Sequence, residues 1–141
     1  MKTKSYTLVI LVIFGMVIFT NYTSKNTKET DASSLLFMLE EEKLAHDVYT
    51  FLYSKWETRP FANIKESEKV HMQKIQELLD QNKISYEILP EGKFKNQNLQ
   101  KLYNDLTAKG KVSEIEALKA GATIEDVDIY DLQRLTKETQ N

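Results

Sequence analysis

The sequence predicts an all-α protein, and three observations predict it. Beyond residue 34, apolar residues recur at intervals of three, four and seven over most of the chain. Gly and Pro, which punctuate many-turned β folds, number only four and two among 141 residues. Candidate helix starts carry capping residues: Asp31, Ser33 or Ser34, then Asn63 with Glu66, then Ser113 with Glu116. The length suits one domain of modest size.

Taken in order, the N-terminus stands apart from this pattern. Lys2 and Lys4 precede the apolar run TLVILVIFGMVIF, from Thr7 to Phe19. A positive n-region before an apolar h-region marks residues 1–20 as an export signal or an N-terminal anchor. The run is shorter than the roughly 20 apolar residues that span a bilayer. No small-x-small cleavage site stands near FTNYTS, so both readings stay open. Either way the domain is expected outside the cytoplasmic membrane, touching it through this segment alone. Residues 21–33 are polar and read as a linker, leaving residues 34–141 as the helical domain.

From Leu35 to Trp56, Leu35, Glu42, Tyr49 and Trp56 recur every seven residues, with Met38, Ala45 and Leu52 between them. That is a long amphipathic helix. Pro60 ends it or starts a turn. A second helix is predicted from about Asn63 to Gln81, its stripe formed by Ile64, Glu68, His71, Ile75 and Leu78. The following NKISYEILPEGKFKNQ has no helical period and reads as a connection across the bundle, with a short extended piece where Ile84, Tyr86 and Ile88 alternate. Leu99, Leu102, Tyr103 and Leu106 make a short helix stopped near Gly110. The last helix carries Leu118, Ala122, Glu125, Ile129 and Leu132 on one stripe, with Asp128 near Glu125.

Composition removes several classes of function. Formal net charge is −2, and no basic patch suggests a nucleic-acid partner. Cysteine is absent, which excludes disulfides, thiolate zinc sites, iron–sulfur clusters and cysteine nucleophiles.

Each of the three longer helices has an apolar stripe interrupted by a carboxylate: Glu42, Glu68 and Glu125. The second adds His71 three residues on, so Glu68 and His71 share a helix face. Burying an unpaired carboxylate costs at least several kcal/mol, against a domain stability of about 5–15 kcal/mol. These groups must be protonated, paired with cations or bound to metal. Lys43, Lys69 and Lys119 fall on the flanks of the stripes, where they reach solvent. A pair of divalent ions would compensate several carboxylates at once, a device known in helix bundles. Carboxylates with an imidazole suit iron or manganese, zinc also fits, and magnesium and calcium do not favour the imidazole. Simpler roles fit the neighbouring polar and aromatic residues. His46 reads as a flank residue near Asp47 and Thr50. Tyr49, Tyr53 and Trp56 read as packing aromatics, Tyr103 and Tyr130 as core or rim. The EEEK run at Glu40–Lys43 reads as a solvated face from which only Glu42 reaches the stripe.

The stretches EEEKLAHDVY (Glu40 to Tyr49), ESEKVHM (Glu66 to Met72) and ALKAGATIEDVDIYDL (Ala117 to Leu132) together resemble the ferritin-like family known as domain of unknown function 2202. The spacing Glu42–Ala45–Tyr49 is also similar to the first helix of rubrerythrin-like proteins. The resemblance covers about Ser34 to Asn141. It implies a ferritin-like helical bundle with a two-metal carboxylate site, most simply di-iron. Glu42 would be the first-helix ligand, Glu68 and His71 the second-helix pair, and Glu125 the third-helix ligand, with Asp128 a further candidate. No catalytic side chain is assigned. The family's reaction is not implied; iron oxidation or peroxide and oxygen chemistry would suit such a site. A ferritin-like bundle has four long helices, the last usually bringing a histidine, and Asn141 precedes any such helix. The resemblance therefore implies a C-terminally incomplete bundle with an apolar groove open to homodimerisation. A helical interaction module or an inactive remnant is the alternative reading.

Overall fold

The computed structural model describes the backbone of residues 25–139 and most side chains from residue 31 to residue 133. The proposed export segment and the side chain of Leu132 lie outside the described residues. Within them the chain is all-helical, with no strand: α1 (Lys25–Trp56), α2 (Arg59–Gln81), α3 (Gln97–Gly110) and α4 (Glu114–Thr139). Three helices are long and one, α3, is short.

Helix α1 is the hub. Helix α2 packs along it, α3 and α4 pack on each other, and both also pack on α1. Helices α2 and α4 do not pack on one another among the described residues. Tyr49, Leu52 and Val48 of α1 are buried with Phe61, Leu106, Ala117 and Ile124 in one apolar core. A second, smaller cluster joins Leu39, Ile75 and Leu79, with Ile84 and Tyr86 of the connecting segment against it.

The element boundaries depart from the sequence expectation at several points. Helix α1 already runs through Lys25, the first described residue, so the segment read as a linker is helical over its described part, and Asp31, Ser33 and Ser34 lie within the helix rather than capping it. No Gly or Pro interrupts residues 25–34, so helix propagates beyond the apolar stripe. Only Glu57 and Thr58 separate α1 from α2, which makes the pair an antiparallel hairpin. Glu57 turns the chain in the left-handed region at φ 51°, its N–H donating to the Tyr53 carbonyl at 2.8 Å. Pro60 then occupies the first turn of α2, where a missing N–H costs nothing. Asn63 consequently lies inside α2, and its predicted capping role with Glu66 is not realised.

The ends of α3 and α4 differ in how far they match. Ser113 accepts the Glu116 N–H at 3.2 Å, as expected, while the Glu116 carboxylate turns to Lys119 at 2.6 Å. Gly110 is the last residue of α3 rather than a left-handed stop. Its importance is proximity: a Cβ there would fall 2.3 Å from Leu52 Cδ2. The segment of residues 84–89 forms no strand, although Ile84 and Tyr86 do point inward.

The register of α4 is the largest correction. Leu118 and Ile129 are 48% and 56% exposed, and Ala122 is exposed too. The buried face is carried by Ala117, Ala120, Gly121 and Ile124. Small residues let α4 approach α1 closely, so the face with less apolar bulk is the one that is covered. Tyr130, expected in the core or rim, is 67% exposed.

Candidate metal centre

Glu68 follows Phe61 and precedes Ile75 at seven-residue intervals, and all three are buried on the face α2 turns toward α1. The packing of Phe61 and Ile75 therefore drags Glu68 into the interior. His71 lies one turn further on and is half-buried. Helix α1 presents the half-buried Glu42 opposite this pair. The His71 Nδ1 atom stands 3.0 Å from Glu68 Oε2 and 3.2 Å from Glu42 Oε2. One ligand atom from each of the three residues lies within 4.8 Å of the other two.

The electrostatics follow from this convergence. Burial raises the Glu68 carboxyl, the neighbouring Glu42 adds to the rise, and the His71 contact opposes it. His71 is pushed up to about 10, chiefly by its hydrogen bonds to Glu42 and then Glu68, against the opposing effect of burial. At neutral pH its imidazolium Nδ1–H is thus the positive charge held between two carboxylates.

The other wall belongs to α4. Glu125 is half-buried and accepts a hydrogen bond from the Tyr49 hydroxyl at 2.7 Å. Burial raises the Glu125 carboxyl, with the Tyr49 bond and the His71 charge opposing and the Glu68 charge adding. Asp128 is raised to about 8, first by burial and then by the charges of Glu42, Glu68, Glu125 and Asp131. The predicted residues thus face one region from three helices. Glu42, Glu68 and His71 form the tight cluster, while Glu125 and Asp128 interact with it electrostatically from α4.

The donor set fits a transition-metal ion. Two carboxylate oxygens and one imidazole nitrogen are the ligand types that iron, manganese and zinc share. Ligands bonded to such an ion at about 2.0–2.2 Å stand roughly 3.0–3.5 Å from one another, and the two His71 contacts meet that spacing. Exchanging the His71 proton for the ion would leave a neutral nitrogen donor in place.

Sequence reasoning missed a second buried polar group beside this site. Lys43, expected to reach solvent, is 4% exposed, and Asp47 is 3% exposed. The Lys43 ammonium pairs with Asp47 at 2.5 Å, donates to the Pro90 and Lys93 carbonyls, and lies over the Phe94 ring. Asp47 also accepts the Gly92 N–H at 2.8 Å, and His46 Nδ1 stands 3.2 Å from its other oxygen. Glu40 accepts the N–H groups of Lys95 and Asn96, and Glu41 is buried. The EEEK run is thus a binding face for the α2–α3 connection rather than a solvated one. No local signal shows this, because the partners are backbone groups some 50 residues away in an aperiodic segment.

The fold and the cluster define a class: an all-helical bundle with a convergent carboxylate–histidine site. Its sequence family can be stated as well. Residues 31–141 match the family model described as an uncharacterized protein domain, DUF2202, and the chain belongs to that family. It is 45% identical over 115 residues to the uncharacterized protein MJ0754 of Methanocaldococcus jannaschii, an alignment covering 80% of this chain and 62% of that relative. The crystal structure of hypothetical protein MJ0754 superposes with a TM-score of 0.77 at 41% identity, covering 86% of this chain and 68% of that one. The chain thus spans about three-fifths of the length of the curated relative it matches.

Proposed function

We propose that this protein binds divalent transition-metal ions through Glu42, Glu68 and His71, with Glu125 and Asp128 as the α4 contribution to a second position. The observation that carries this reading is the convergence of three ligand atoms within 4.8 Å of one another, from two helices, with His71 Nδ1 3.0 and 3.2 Å from the two carboxylates. Iron is the metal the reading favours, with manganese and zinc as competitors for the same donors. A ferritin-like di-iron arrangement accounts for carboxylates on α1, α2 and α4 together. Bound iron would supply one-electron chemistry toward dioxygen or peroxide. The chain's own residues would neutralise the ion, orient it and exchange a proton at His71 Nδ1. Residues 1–20, read as an export signal or anchor, would place this chemistry outside the cytoplasmic membrane.

Titration calorimetry with Fe(II) under anaerobic conditions, repeated with Mn(II), tests the reading. Glu68→Ala and His71→Ala are each expected to weaken binding at least tenfold. Unchanged affinity in both variants would refute it. A helical interaction module is the second reading, favoured by the exposed Val112, Ile115, Leu118 and Ile129 in and just before α4. On that reading chelators leave both folding and association unaffected.

A further inference from the structure

The two walls of the site share α1 as their common packing neighbour. Helix α2 carries Glu68 and His71, helix α4 carries Glu125, and these helices do not pack together among the described residues. Helix α1 is thus the element on which both are packed. Tyr49 lies two turns beyond Glu42 on the same face of α1 and is 1% exposed. Its ring packs against Phe61 of α2 with centroids 6.1 Å apart. Its hydroxyl lies 3.1 Å from the Gly121 carbonyl and 2.7 Å from Glu125 Oε1. The residue thus touches both walls, one with its ring and the other with its hydroxyl.

A buried hydroxyl needs one acceptor for its single proton, and Gly121 alone would satisfy it. The shorter contact is instead to a carboxylate one turn further along α4. Gly121 is part of the same arrangement: a Cβ there would come 3.1 Å from both the hydroxyl and Cε1 of Tyr49. The missing side chain makes the room in which the ring reaches Glu125.

We propose that Tyr49, seated on Gly121, is a positioning residue that fixes Glu125 toward the Glu42–Glu68–His71 cluster. The inference rests on the metal-binding reading above and extends it to a residue outside the ligand set. A hydrogen bond to a ligating carboxylate sets its direction and basicity, and removing such a partner typically weakens metal binding about 10- to 100-fold.

The test uses Co(II), whose visible absorption reports the ligand set, on the full chain as wild type, Tyr49→Phe and Glu125→Ala. Tyr49→Phe is expected to weaken Co(II) binding by about 10- to 100-fold and to change the absorption in the same sense as Glu125→Ala. A Tyr49→Phe protein with a lowered melting temperature but wild-type affinity and spectrum would reduce Tyr49 to packing and overturn the proposal. In that case Co(II) binding by the wild type would leave the metal-binding reading standing. Wild-type protein that takes up no Co(II) would overturn both. Should Tyr49→Phe not fold, carbon-13 labelling of the Tyr49 Cζ in the wild type decides the matter. Addition of Zn(II) is expected to shift that resonance, and an unmoved signal at saturating Zn(II) would refute the role.

Discussion

His71 is the residue on which the local chemistry turns. Its folded pKa of about 10 lies above the ordinary histidine value of 6.5. A raised pKa means that the stabilisation is fully present below about 6.5 and is lost as pH rises through about 10. In metal-free protein, the stability difference between wild type and His71→Gln should therefore shrink between pH 7 and pH 10.5, read by urea denaturation. A gap constant across that range would contradict the imidazolium bridge. Asp128 follows the same sign from a lower start: its contribution is complete near pH 4 and lost by about pH 8. Metal binding runs the other way. Because the ion must displace the His71 proton, affinity should rise as pH is raised from 6 to 8, by up to about tenfold per unit. Asp47 behaves oppositely to the cluster carboxylates. Burial pushes it up, but bonds from His46, Lys43 and Gly92 and the Lys43 charge outweigh burial and hold it low. Its stabilisation is present above the ordinary Asp value and is lost as pH falls through the lowered one.

At the scale of elements, the distinction between legible and hidden structure is a matter of partners. Glu68 and His71 were legible because Ile64, Ile75 and Leu78 share their stripe at helical spacing, and a single helix's own period determines which face is buried. Helix α4 misled because its larger apolar residues, Ile115, Leu118 and Ile129, point outward while Ala117, Ala120 and Gly121 carry the contact. Bulk is a poor guide where a helix must come close to its neighbour. Leu118→Ser should accordingly change stability by less than about 0.5 kcal/mol, whereas Ile124→Ala should cost about 2–5 kcal/mol in denaturant melts. Equal costs would mean that α4 is rotated from the register described. Gly110→Ala tests the α1–α3 contact: the methyl must displace Leu52, at a cost of about 1–3 kcal/mol. The Lys43–Asp47 pair tests how the α2–α3 connection is held. Removing the ammonium by Lys43→Ala leaves the buried Asp47 carboxylate with only the Gly92 N–H and His46 beside it and should cost up to about 3 kcal/mol.

Across the whole molecule, α1 is the scaffold on which both the apolar core and the candidate site are assembled. The all-helical class, the three long helices and the short α3 were readable from periodicity, whereas of the predicted caps only Ser113 was realised. The pairing of helices was not readable, because it depends on close approach at Gly110 and Gly121 and on backbone groups of the connection that bind Lys43, Asp47 and Glu40. A site assembled from the hub and its neighbours should couple metal to the stability of the whole bundle. Metal at 100 times its dissociation constant adds about 2.7 kcal/mol, which corresponds to a melting shift of roughly 10 °C for a domain of this size. The shift should disappear in His71→Ala. The most direct measurement is anomalous diffraction at the iron edge from crystals grown with Fe(II) under anaerobic conditions. The predicted result is a peak within bonding distance of Glu42, Glu68 and His71, with the His71 Nδ1 bond to carboxylate replaced by a bond to metal. Fe(II)-saturated crystals showing His71 still bridging Glu42 and Glu68, with no peak among them, would contradict metal binding at this cluster.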